Sequence, residues 1–81
     1  MEKRIGAVAI IVENKDNVEA VNRLLSQYGD IIVGRMGIPY KEKHLSVISI
    51  IVDGTTDDIG ALTGKLGRLQ GVTVKSALTQ K

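Results

Sequence analysis

Hydrophobic positions along this chain switch between two periods, and the switches outline its elements. The stretch "RIGAVAIIVE" (4–13) is rich in Val and Ile and stops at the turn-forming "NKDN", so it predicts a strand. The period then changes. Val18, Val21, Leu24, Leu25 and Tyr28 recur at helical spacing, which predicts an amphipathic helix. Asp16, followed three residues later by Glu19, suits a capping box with Asp16 as N-cap, and Gly29 suits a left-handed stop. "DIIVGRMGI" (30–38) predicts a second strand, interrupted by Gly34 and Gly37 and closed by Pro39. "YKEKH" predicts a hairpin tip, and "LSVISIIVD" (45–53) a third strand.

After "GTT", Ile59, Leu62, Leu66 and Leu69 form the apolar stripe of a second helix over about 57–69. Asp57 and Asp58 open it and Lys65 and Arg68 close it, as the helix dipole favours. Gly71 ends it, and "VTVKSAL" (72–78) predicts the last strand.

The order βαββαβ predicts one α+β domain over residues 1–81, a ferredoxin-like two-layer sandwich. Four antiparallel strands in the order 4-1-3-2 carry two helices on one face. The first and third strands are then central. The second and fourth carry Arg35, Pro39 and Lys75, as edge strands do.

The central strands are apolar on both sides. Val8, Ile10 and Val12 face one way, and Ile5, Ala7, Ala9 and Ile11 the other; Ile48, Ile50 and Val52 likewise oppose Leu45, Val47 and Ile51. Two helices cover one face of such a sheet. A monomer would leave a contiguous apolar patch on the other, which soluble monomers avoid. The pattern therefore predicts a homo-oligomer, dimer or tetramer, with Ile5, Ala7, Ala9, Ile11, Val47 and Ile51 in the shared face.

Composition sharpens this expectation. A chain of 81 residues hides only about 60–65% of its unfolded surface, so small domains lean on disulfides, metals or partners. With no cysteine, disulfides and thiolate metal sites are excluded, and oligomerisation is the remaining support. A net charge of +2 with interspersed signs argues against direct nucleic-acid binding. The absence of Phe and Trp removes the aromatics with which an RNA-recognition sheet stacks bases. The longest apolar run, Ile5 to Val12, is far too short to span a membrane. Met1-Glu2-Lys3-Arg4 leads straight into strand, so the expectation is a cytoplasmic protein without a signal peptide.

Candidate chemistry is sparse. The 13–17 loop, the 38–44 hairpin and the 69–72 turn should meet at one end of the sheet, where the first helix begins. Lys41, Lys43 and His44 there form either an anion site or a solvated tip, since Asp16 and Glu19 compete for the helix N-terminus. Arg35, between Gly34 and Met36, is either an interface or effector contact or a protective edge cation. His44 stands alone, so no metal is expected. "GALTGK" (60–65) has the wrong spacing for a phosphate loop; Gly60, Ala61, Gly64 and Gly67 are expected to keep the helix thin where it packs closely. No nucleophile set or carboxylate pair converges, so no enzyme activity and no cofactor is expected.

"GDIIVGRMGIPY", "SVISIIVDG" and "ALTGKLGRLQGVTVK" resemble the small iron-only ([FeFe]) hydrogenase system regulators, whose type member comes from a hyperthermophilic bacterium. The resemblance runs along essentially the whole chain. It implies an ACT-like or ferredoxin-like fold, similar to the effector-binding domain of the nickel-responsive repressor. The repressor's several metal-ligating histidines and its cysteine have no counterparts beyond His44, and its DNA-binding segment has none. The first strand-to-helix loop, "ENKDN", also lacks the glycine usual in amino-acid-binding ACT domains. The implied function is a non-catalytic, effector-binding transcriptional regulator, with a small-molecule effector held near Arg35, Met36, Gly37, Pro39, Tyr40, Lys41, Lys43 and His44. The alternative is a structural adaptor docking onto a hydrogenase-maturation protein or a separate DNA-binding chain.

Overall fold

The computed structural model describes residues 3–79. Its elements are β1 (Lys3–Val12), α1 (Val18–Gln27), β2 (Ile32–Tyr40), β3 (Leu45–Thr55), α2 (Thr56–Gly67) and β4 (Val72–Leu78). The strands form one antiparallel sheet in the order β2-β3-β1-β4, the predicted order read from the other edge. β1 and β3 are central because they are the strands that can be buried.

Their register sets the core. Val8 lies opposite Ile50 and Ile10 opposite Ile48, and all four side chains are buried. Val21 and Leu25 of α1 and Ile59, Leu62 and Leu66 of α2 close over them. Each such side chain contributes roughly 1.5–3 kcal/mol on leaving water. No polar residue is fully buried among the described residues, although Nε of half-buried Arg4 is shut off from solvent without a hydrogen-bond partner. Lys65 of α2 lies 5.2 Å from the ring centre of Tyr28, a cation–π contact linking the two helices.

At one pole of the sheet β1 and β4 are zipped together beyond their ladder. Thr79 N–H donates to the Ile5 carbonyl at 2.8 Å, and Arg4 Nη1 donates to the Thr79 carbonyl at 3.1 Å. At the opposite pole Glu13 N–H donates to the Gly71 carbonyl at 2.7 Å, holding the turn after α2 against the loop after β1.

Several local expectations are corrected. Asp16 is not an N-cap, and its capping box with Glu19 does not form. Asn14 Oδ1 accepts the Asp16 N–H at 2.9 Å, which starts a 3-10 turn at Lys15–Asn17 ahead of α1. A side-chain oxygen two residues back satisfies that N–H first. Gly29 is not a left-handed stop either. α1 ends at Gln27 and passes into a 3-10 turn at Gly29–Ile31; positive φ among the described residues is confined to His44 and Gly71.

β2 is not closed by Pro39 but runs through it to Tyr40, since an edge strand tolerates a residue with no N–H to donate. Its pairing slips between Ile32 and Gly34, leaving Val33 as the extra, exposed residue of a bulge. α2 stops at Gly67 rather than at 69, and Thr55 caps it by accepting the Asp58 N–H at 3.1 Å. Gly60, Gly64 and Gly67 do not serve close packing. A Cβ at any of the three would meet nothing within 4 Å, because they flank an open groove beside β4.

Candidate functional site

The three segments expected at one end of the sheet do meet there. The Asn17 Nδ2 donates to the Gln70 carbonyl, so the 13–17 loop and the 69–72 turn are joined directly. This diverts the Asn17 side chain, which sits in the N-cap position of α1 without capping it. Between α1 and the β2–β3 hairpin lies a cleft of about 490 Å³. Its apolar lining comes from Val12, Val18, Pro39 and Leu45, and its polar lining from Lys15, Tyr40, Lys41, His44 and Ser46. Basic residues line it on both walls: Lys15 on the α1 side, Lys41 on the hairpin, with the His44 imidazole beside it. No carboxylate lines it.

The hairpin tip is a 3-10 turn, Lys41–Lys43, closed by His44 N–H donating to the Lys41 carbonyl at 3.2 Å. His44 takes φ 56° and ψ 40°, a left-handed conformation that glycine or asparagine adopts more readily.

The residues expected around an effector separate into three groups. Pro39, Tyr40, Lys41 and His44 line the cleft, whereas Lys43 lies on the same tip outside the lining. Arg35 pairs in register with buried Ile50, which places it on the helix side of β2, and its Nη2 donates to Asn22 Oδ1 of α1 at 2.8 Å. Met36 pairs with Ser49 and so faces the opposite way, while Gly37 pairs with Ile48 on the helix side. Arg35 and Met36, adjacent in sequence, therefore address different surfaces. Lys15 and Ser46 join the cleft with no mark in the sequence pattern, and Val18 joins it from the apolar stripe of α1. The signal for Lys15 is its place in the loop before α1, beside Asp16.

The second surface is the open face of the sheet. Ala7 lies opposite Ile51, Ile11 opposite Val47, and Ile38 opposite Val47 on its other side, so these side chains share the face without helices. Ile5 is 52% exposed, Ile51 43%, Met36 66% and Ile38 55%. Ser49 and Lys75 interrupt the patch. No group of three or more His, Cys, Asp or Glu residues is placed to hold a metal among the described residues. No helix among them is long and apolar enough to cross a membrane.

Sheet order, register and helix placement together define a ferredoxin-like α+β domain. Residues 4–76 match the TM1266-like family, "Iron-only hydrogenase system regulator, putative", and the chain belongs to that family. The solved structure of uncharacterized protein TM1266 from Thermotoga maritima is 35% identical, with a TM-score of 0.92 over 98% of this chain and 100% of that one. Uncharacterized transcriptional regulator MJ0080 of Methanocaldococcus jannaschii is 33% identical over 79 residues. That match takes in 98% of this chain but only 60% of the curated relative's length. The C-terminal domain of the MgtC protein from Mycobacterium tuberculosis shares the fold at 15% identity, with a TM-score of 0.72 over 95% of this chain and 88% of that one.

Proposed function

We propose that this domain is a regulatory module of the iron-only hydrogenase system that works by self-association and effector binding, without catalysis. Membership of a regulator family supports the general role. The observation that carries the specific reading is the uncovered apolar face running across β2, β3 and β1. A second copy would cover it with the same residues, as two-fold interfaces do. An effector that binds one arrangement of the subunits better than another would shift the population between them. Arg35, held by Asn22, and Met36, on the open face, would report that shift from the two sides of β2. With a net charge of +2, contact with DNA is assigned to a partner chain.

Native mass spectrometry of the protein and of Ile51→Lys tests the reading. The parent should appear as an even-numbered oligomer. Ile51→Lys should be a folded monomer, because the ammonium cannot be desolvated at the centre of the face. A monomeric parent overturns self-association. Copurification with a maturation protein, in place of a second copy, would favour the adaptor reading.

A further inference from the structure

We propose that the cleft between α1 and the β2–β3 hairpin binds a small organic anion, a carboxylate or phosphate carried on an apolar body. The inference rests on the effector-binding reading only in calling that molecule an effector. Its volume of about 490 Å³ falls in the range of small-molecule sites, roughly 300–1,000 Å³. The lining is divided as such a ligand requires. Val12, Val18, Pro39 and Leu45 give the cleft apolar lining, and Tyr40 joins them. Lys15 lines it from the α1 side and Lys41 from the hairpin, so both walls carry a positively charged residue for an anionic group. With no carboxylate in the lining, nothing within the cleft neutralises them.

The backbone at His44 points the same way. Its left-handed φ of 56° suits glycine, yet the chain places there an imidazole that lines the cleft. A non-glycine residue in that region, at the lining of the cleft, is the observation that brings His44 into the proposed contact. Ser46 supplies a hydroxyl on the same wall.

The test is an NMR titration of ¹⁵N-labelled protein with phenyl phosphate, phenylacetate and the neutral benzyl alcohol. At least one of the anions should shift the amides of Lys15, Val18, Lys41 and Ser46, and bind about tenfold more tightly than the alcohol. Which anion binds tells phosphate from carboxylate. Lys15→Gln with Lys41→Gln should weaken binding about fivefold or more without changing the oligomeric state. His44→Gly should weaken it too while raising the melting temperature, a combination that a merely structural histidine would not give. Binding of the alcohol as tight as that of the anions overturns the proposal, as do shifts confined to the open face around Ile5 and Ile51. An even-numbered oligomer with an unresponsive cleft overturns this inference alone; a monomer that still binds the anions overturns only self-association.

Discussion

Gly6 and Gly64 show how differently one residue type acts at two positions. In β1, a Cβ at Gly6 would lie 2.5 Å from the Ala77 carbonyl oxygen and 2.4 Å from Leu78 Cδ2. The first of these is backbone and cannot step aside. Gly6→Ala should therefore cost about 2–3 kcal/mol through strain in the β1–β4 pairing. At Gly64, on the flank of α2, the added methyl meets nothing within 4 Å, so Gly64→Ala should stabilise by about 0.5–1 kcal/mol through helix propensity and a less flexible unfolded chain. Urea denaturation of the two variants checks both signs. The glycines of α2 were misread because their spacing shows that side chains are missing, not what stands opposite. A sequence cannot distinguish a helix thinned for contact from one flanking an open groove.

At the scale of elements, the cap residues separate in the same manner. Thr55 is the N-cap of α2 in fact and Asp16 only in sequence, because its acid lies inside a turn that Asn14 has already closed. Thr55→Ala and Asn14→Ala should each lose about 1 kcal/mol, while Asp16→Ala should change stability by less than about 0.5 kcal/mol. Midpoints of chemical denaturation for the three variants would rank them. The elements themselves were legible because each carries a distinct signature: short, nearly unbroken runs of Val and Ile in β1 and β3, and a three-to-four spacing in α1 and α2. Their ends were less so. Between Glu13 and Val18, Asn14, Asp16 and Asn17 are all capable of capping. Only the positions of the Gln70 carbonyl and the Asp16 N–H decide which of them does.

For the whole molecule, the sheet order could be read because Arg35, Pro39 and Lys75 mark the edges and the double-faced strands mark the centre. The open face followed from the same alternation. The meeting of the 13–17 loop with the 38–44 hairpin followed from the strand order too, but the lining of the cleft did not, since which side chains form it depends on two 3-10 turns. A self-associating face also predicts a bulk property. Linkage makes assembly part of folding stability, so the melting temperature of the parent should rise with protein concentration, while that of Ile51→Lys should not. Differential scanning calorimetry over about a hundredfold range of concentration would reveal the coupling; curves that superimpose for the parent would count against it.

The zipped pole gives the molecule a handle. Ile5 and Thr79 are held side by side, whereas the cleft opens beyond Val12 at the far end of β1. The strand from Ile5 to Val12, at about 3.3 Å per residue, puts roughly 23 Å between the two poles. A fluorophore or a surface tether attached beside Thr79 would hang from the pole remote from the cleft. The domain could then be immobilised or labelled from that pole, with the mouth of the cleft left facing solvent.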